Sequence, residues 1–486
     1  MKIKRLLALL LSLCLVAALA VPVIAEEDSD APVLLISTLE PAEEDEDLDF
    51  VDIVALEEPI AITEELEAPA CDCGEVLQVF VRGFMNPLYY DYGTDQQKEA
   101  FILGHLLMND QGESVLDIDK YWLEDDVSNH ADEPEFEFLF DYRLDPFKSA
   151  RELDEYIEYL CGATGHSKIA LTGMSQGTSI VTTYLATYGY DRLETLILIS
   201  GSYMGVSVIG ELLTNRWALS VPGIINLLAT MGASPLFKAF MNLLGVVFAP
   251  FETGPSSNLA FVFGGRIYNR FIMKLIGQMP AIWTFLPVSY FEQARKLLDA
   301  DPKWENLRVI ADAYYEQVLL TTEQNLRDAK DAGVKVGIIA HYGKAPIPLI
   351  KKNDYQTDIL IDTEYGSCGA TVATIGKVLD PVGVKDLKYF SPDHIIDAGT
   401  CNLPDQTWFI KYVGHDFVPS HDLRMWFIHH DVEKDGYPTV FSNAEYPQYL
   451  RLTEDKEHTV PLVEEPAPAP TSIIDAFKAL FAAIGG

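Results

Sequence analysis

Residues 168–185 read KIALTGMSQGTSIVTTYL, and this stretch decides the fold. Ile169-Ala170-Leu171-Thr172 is a short apolar run of strand character. Gly173-Met174-Ser175-Gln176-Gly177 follows with Gly-x-Ser-x-Gly spacing, and Thr178–Leu185 supplies small and apolar residues suited to a buried helix. Strand, tight turn and helix together form the context in which this spacing lifts a serine into an exposed, strained position at the carboxyl edge of a sheet. Gly173 and Gly177 leave no β-carbon where strand and helix crowd together. The amide after the serine then points at a developing oxyanion. Ser175 is the candidate nucleophile and the Gln176 N–H a candidate oxyanion donor.

Working outward, the neighbouring segments alternate between strand and helix patterns. Val76–Val81 reads as the first strand, Phe136–Phe140 as a strand with one buried face, and Leu193–Ser200 as a nearly all-apolar buried strand. Between them, Arg151–Cys161 places Leu153, Tyr156, Ile157 and Leu160 on one helical face, as a crossover helix does. Val334–Tyr342 and Thr407–Val413 read as later core strands, the second of them as the last good one. This alternation predicts a mostly parallel α/β sheet flanked by helices and joined by right-handed crossovers. The loop after an early strand supplies the second oxyanion donor in such a sheet, which points to the Phe84 N–H in Arg82-Gly83-Phe84-Met85. Arg82 stands where an aromatic residue or histidine is usual. Tyr89, Tyr90 and Tyr92 read equally as a substrate mouth and as ordinary packing.

The elbow, Asp141-Tyr142-Arg143-Leu144, the Gly83-Phe84 loop and residues 280–287 (PAIWTFLP) together resemble the lecithin:cholesterol acyltransferase family of α/β-hydrolases. More loosely, they resemble bacterial secreted lipases. The resemblance runs in patches from Val76 to His421. It implies an α/β-hydrolase fold, an acyl-ester substrate, a Ser-Asp-His triad and a lid, and leaves open whether the acyl group passes to water or to another alcohol. Thr357-Asp358-Ile359-Leu360-Ile361-Asp362, leading into Gly366-Ser367, resembles the acid loop of secreted lipases and makes Asp358 the triad acid. Ser391-Pro392-Asp393-His394-Ile395-Ile396-Asp397 repeats the pattern, so Asp393, Asp362 and Asp397 stand as rivals. His415 directly follows the Thr407–Val413 strand and Gly414, from where a histidine can swing over the sheet edge. It is the expected base, with His421 as its rival, and His341 reads as a packed residue.

From Ser202 the sheet pattern stops, and a helical apolar cap or lid is expected over about 202–330. Arg216 to Glu252 carries only Lys238 as a charge between its ends, and Pro222, Gly223, Gly232 and Pro235 break it up, which argues against one membrane span. The inner face of such a lid can receive acyl chains and its rim can touch a lipid surface.

The chain of 486 residues carries a formal net charge of −38, much of it localised, which argues against nucleic acid or an anionic membrane as an electrostatic partner. Residues 1–25 have Lys2, Lys4 and Arg5, then an apolar run from Leu6 to Ala20 and a small residue at Ala25, as a secretory signal peptide does. Residues 26–70 contain no Lys or Arg and read as an acidic, disordered leader. The hydrolase domain is expected over 71–460, a Pro/Ala linker over 461–472 and an amphipathic helix over 473–486, with Ile473, Phe477, Leu480, Phe481 and Ile484 on one face. That helix docks on the domain or attaches to an interface. Cys368 and Cys401 could form a bridge, whereas Cys71-Asp72-Cys73 is too isolated in sequence to suggest zinc. No metal and no cofactor are expected.

The reading as a whole is a secreted or surface-associated serine carboxylic-ester hydrolase acting on lipids or small esters. An acyltransferase or thioesterase with the same triad, or a catalytically silent lipid-binding module, are its rivals.

Overall fold

The computed structural model describes residues 68–84, 108–113, 127–214, 277–347, 354–415, 418–453 and 458–463. The signal-peptide reading, most of the leader, Tyr89, Tyr90 and Tyr92, the Arg216–Glu252 segment and the C-terminal helix lie outside these residues.

Five buried strands carry the centre of the sheet: β1 (Gln78–Val81), β3 (Ile169–Met174), β4 (Leu193–Ile199), β5 (Lys335–Tyr342) and β8 (Thr407–Lys411). On one flank lies β2 (Glu135–Phe138), and on the other β9 (Tyr449–Leu452) and β10 (Thr459–Pro461). The order is β10-β9-β8-β5-β4-β3-β1-β2, parallel throughout except for the β9–β10 pair. Two short strands, β6 (Thr371–Val372) and β7 (Ile396–Asp397), pair separately. Thr407–Lys411 is therefore not the last strand. β9 and β10 are short and partly exposed, and Arg451 and Thr453 interrupt the apolar pattern that marks a buried strand.

Strand periodicity divides the core into two layers. Val79, Val81, Leu171, Leu196, Leu198, Val336 and Ile338 face one side, while Phe80, Ala170, Ile197, Ile199, Ile339, Trp408 and Ile410 face the other. The first side is covered by α1 (Pro146–Thr164), α2 (Gln176–Tyr188) and α6 (Thr322–Asp331), the last contributing Leu326 and Ala329. The second is covered by α8 (His421–Ile428) through Leu423, Phe427 and Ile428. Helix α1 begins where Asp145 accepts the Phe147 N–H (2.9 Å) and Pro146 occupies the first turn, and it ends at Gly165. A mostly parallel sheet in this order, with helices on both faces, is the α/β-hydrolase fold.

Above the carboxyl edge sits a second apolar cluster. It is built by α3 (Ser207–Leu213), a 3-10 segment Pro280–Phe285, α4 (Val288–Asp299) and α5 (Glu305–Tyr314), with α7 (Thr363–Gly366) nearby on β5. Val206, Val208, Ile282, Trp283, Phe285 and Leu286 are buried in it. Within the expected cap of 202–330, α6 belongs to the sheet's own helical layer rather than to this cluster.

Two domain edges shift. Ala68, assigned to the leader by composition, donates its N–H to the Gly162 carbonyl (3.0 Å), so the chain is tied to α1 before residue 71. Pro461 and Leu462, assigned to the linker, lie in or beside β10, and the buried Leu462 donates to the Tyr449 carbonyl (3.0 Å). Cys368 and Cys401 are both free and buried. The Cys368 thiol meets the Tyr203 hydroxyl, and the Cys401 thiol meets those of Ser367 and Thr407, in place of the bridge considered from sequence.

Candidate active site

Ser175 joins β3 to α2 with φ 54° and ψ −125°, outside the backbone regions that L-residues ordinarily favour. Several contacts hold it there. Its N–H donates to Ile199 O (3.1 Å), and its carbonyl accepts from Thr178 N (3.1 Å), Thr178 Oγ1 (2.6 Å), Ser202 Oγ (3.1 Å) and Ser202 N (3.3 Å). The packing leaves no room for a side chain at two neighbouring positions. A β-carbon on Gly177 would lie 2.0 Å from Val81 O, and one on Gly83 would lie 2.5 Å from Ser175 Cβ. The chain leaving β1 therefore passes directly against the nucleophile.

His415 reaches Ser175 from beyond β8. Its Nε2 lies 2.8 Å from Ser175 Oγ, and its Nδ1 lies 2.8 Å from Asp358 Oδ2. Donation from Nδ1–H to the carboxylate leaves Nε2 as the acceptor for the serine hydroxyl proton. Asp358 is 1% exposed at its side chain and His415 18%. Burial alone would raise the Asp358 pKa. The charge of His415 and its hydrogen bond, the charge of His341 and the Ile361 N–H outweigh this and hold the carboxyl below the ordinary carboxylate range. Asp358 Oδ1 accepts from Leu360 N (3.0 Å) and Ile361 N (2.7 Å), and the turn between them forces Ile359 to φ 96°. A β-branched residue at positive φ is a true outlier. Strain thus accompanies both the candidate nucleophile and the candidate acid.

The rival acids are engaged elsewhere. Asp393 accepts from Tyr342 Oη (3.0 Å) and Ser391 Oγ (2.7 Å) and pairs with Lys411 Nζ (3.1 Å). Asp362 accepts the Ser207 N–H (2.8 Å), and Asp397 accepts the Gly399 N–H (3.0 Å). His421 opens α8, and His341 is buried between Ser200 Oγ (2.7 Å) and Ser420 Oγ (2.9 Å).

Gln176 is the first residue of α2, so its N–H has no acceptor within the helix and faces out of the helix start. Phe84 follows the glycine that abuts Ser175. Both residues are braced by Asp141–Leu144, a role that spacing alone did not reveal. The Tyr142 carbonyl accepts the Gln176 side-chain N–H (2.7 Å), and the Tyr142 ring meets the Phe84 ring edge-on at 4.7 Å. Arg143 and Asp141, both buried, form a two-pronged pair through Nε (2.9 Å) and Nη2 (2.7 Å), which fixes the loop. Arg82 is ion-paired with Glu137 on β2.

No family model and no curated protein matches the chain. Among solved structures it is similar to MGS-M2, an α/β hydrolase enzyme from a Medee basin deep-sea metagenome library. The identity is 11%, the TM-score 0.24, and the match covers 73% of this chain and 90% of that one. At that level the likeness adds nothing to the strand order, on which the fold rests.

Proposed function

We propose that the protein is an exported serine hydrolase of carboxylic esters, acting on substrates with an apolar acyl group. The hydrogen-bonded line Ser175–His415–Asp358, with both contacts at 2.8 Å, carries this reading. His415 Nε2 takes the hydroxyl proton as Ser175 Oγ attacks the ester carbonyl. Asp358 holds the ring in the required tautomer and balances the imidazolium charge. The amides of Phe84 and Gln176 receive the oxyanion, each such donor being worth about 2.7–4 kcal/mol in comparable enzymes. His415 then protonates the leaving alcohol, and water activated by the same ring hydrolyses the acyl-enzyme. The preference for an apolar acyl group is supported by the cluster beside the site, where Phe84, Leu144, Leu360 and Ile361 join Ile282, Trp283 and Phe285.

A chromogenic ester series of increasing acyl length, run on the protein and on Ser175→Ala, tests this directly. Turnover that vanishes in the variant, with a fluorophosphonate attached to Ser175 in the parent, is the expected result. A folded parent that neither turns over any ester nor accepts the fluorophosphonate would overturn it.

A further inference from the structure

At the amino edge of the same sheet, opposite the serine, three side chains converge, and a fourth, His166, adjoins them through Cys73. β1 lies between β2 and β3 with Gln78 level with both Glu135 and Ala170, so the segments entering these three strands end side by side. One brings Cys71 and Cys73, another His130 after the 3-10 turn Val127–Asn129, and the third His166 after α1. The ligand atoms of Cys71, Cys73 and His130 all lie within 4.8 Å of one another. Cys71 Sγ is 3.3 Å from His130 Nε2, and Cys73 Sγ is 3.5 Å from His166 Nε2. The sequence reading that this cysteine pair is isolated is thus overturned by sheet order, which joins loops 59 and 93 residues apart.

We propose that Cys71, Cys73, His130 and His166 form a structural zinc site. In a tetrahedral site with Zn–S near 2.3 Å and Zn–N near 2.05 Å, sulfur and nitrogen ligands stand about 3.6 Å apart. The two observed S···N separations lie within a few tenths of an ångström of that edge. The outer contacts orient both rings for the task. His130 Nδ1–H donates to the Val127 carbonyl (2.9 Å), leaving Nε2 to face the sulfur. Thr164 Oγ1 gives its own proton to Leu160 O (2.6 Å) and can accept from His166 Nδ1–H (3.1 Å). His166 Nε2 also lies 3.3 Å from the Glu75 carbonyl, a contact that metal binding replaces. The backbone is already fastened, since Cys71 N–H donates to Gly165 O (3.0 Å). Four protein ligands leave no open position for a substrate, so the site is structural. Binding displaces both thiol protons to solvent and ties the entry segment to β2 and β3.

The test uses the full chain, purified under reducing conditions, stripped by chelation and titrated with Co²⁺ or Zn²⁺. One Co²⁺ per chain should bind, with a thiolate-to-cobalt charge-transfer band in the near ultraviolet and strong visible bands of tetrahedral coordination. Zn²⁺ should abolish both and raise the melting temperature reversibly. Cys71→Ser/Cys73→Ser should lose the charge-transfer band, and Cys161→Ser should keep it. His166→Ala should weaken Co²⁺ binding at least about tenfold. A reduced, folded parent without the band, or a band unchanged in the Cys71→Ser/Cys73→Ser variant, would overturn the proposal. Unchanged affinity in His166→Ala would overturn the four-ligand set. Because all readouts are spectroscopic or thermal, they stand apart from the fate of the ester-hydrolase reading.

Discussion

The carboxyl and amino edges of the sheet are built from the same strands to opposite ends. At the carboxyl edge, Ser175 and Ile359 hold unfavourable backbone conformations, and a partly exposed His415 bridges Ser175 and Asp358. At the amino edge, unstrained loops bring together two thiols and two imidazoles with their outer hydrogen bonds in place. On the functions proposed above, one edge holds strain at a hydrolytic serine, and the other gathers thiol and imidazole ligands for a structural metal. The difference teaches that clustering of reactive side chains is not by itself a sign of catalysis. Access and strain separate the two.

The contrast can be broken most severely at Ser175. Ser175→Ala should reduce kcat by about 10⁶-fold, as nucleophile loss does in serine hydrolases, without moving Tm. Steady-state kinetics beside thermal melting checks both halves. Asp358→Asn keeps the shape but leaves His415 in the wrong tautomer, and kcat should drop by about 10⁴-fold. A loss below tenfold would send the acid role back to Asp393. Gly83→Ala drives a methyl group into Ser175 and displaces the chain that carries the Phe84 amide. A kcat lower by about 10²-fold, with KM little changed, is expected.

Effects at the other edge should be thermal. Removing zinc by chelation should lower Tm by at least about 3 °C, roughly what a 1–2 kcal/mol loss produces in a large domain. The rate of fluorophosphonate labelling, taken well below the transition, should change less than about twofold, against the about 10²-fold local effect of misplacement at the serine. A parallel loss of labelling would merge the two edges into one cooperative unit and erase the distinction.

The smallest effect lies beneath the cap. Burial raises the Asp362 carboxyl to about 7, with the nearby Glu364 charge adding to the rise while the Ser207 amide opposes it. The folded state therefore holds this proton more tightly than the unfolded chain does. Its contribution to stability is full below the unfolded carboxylate pKa and is lost as pH rises toward 7. Melting curves of Asp362→Asn should lack that decline between about pH 4 and pH 7.

Much of the fold was legible because buried parallel strands are written as continuous apolar runs. Leu193–Ile199 and Lys335–Tyr342 have almost no other reading. The edge strands Tyr449–Leu452 and Thr459–Pro461 escaped because partial exposure removes that signature. The elbow was readable from glycine spacing, since close packing at Gly177 demands the residue. The acid was harder. Asp358, Asp362, Asp393 and Asp397 sit in similar local patterns, and only the approach of His415 separates them. The bracing by Tyr142 and the meeting of Cys71, Cys73, His130 and His166 depend on strand order, which no local pattern contains.

Sheet order also sets a timetable. The two sulfur–imidazole contacts close loops of 59 and 93 residues and lie before Ser175 in the chain, whereas His415 meets Ser175 across 240. Closing the longer loop costs more entropy and belongs to slower folding. A chain emerging from its amino end can assemble β2-β1-β3 and seal their entry loops long before β8 exists. The Ser175–His415 contact then forms last, once β5 and β8 have been added, so a chain stalled in mid-assembly carries the serine without its histidine partner.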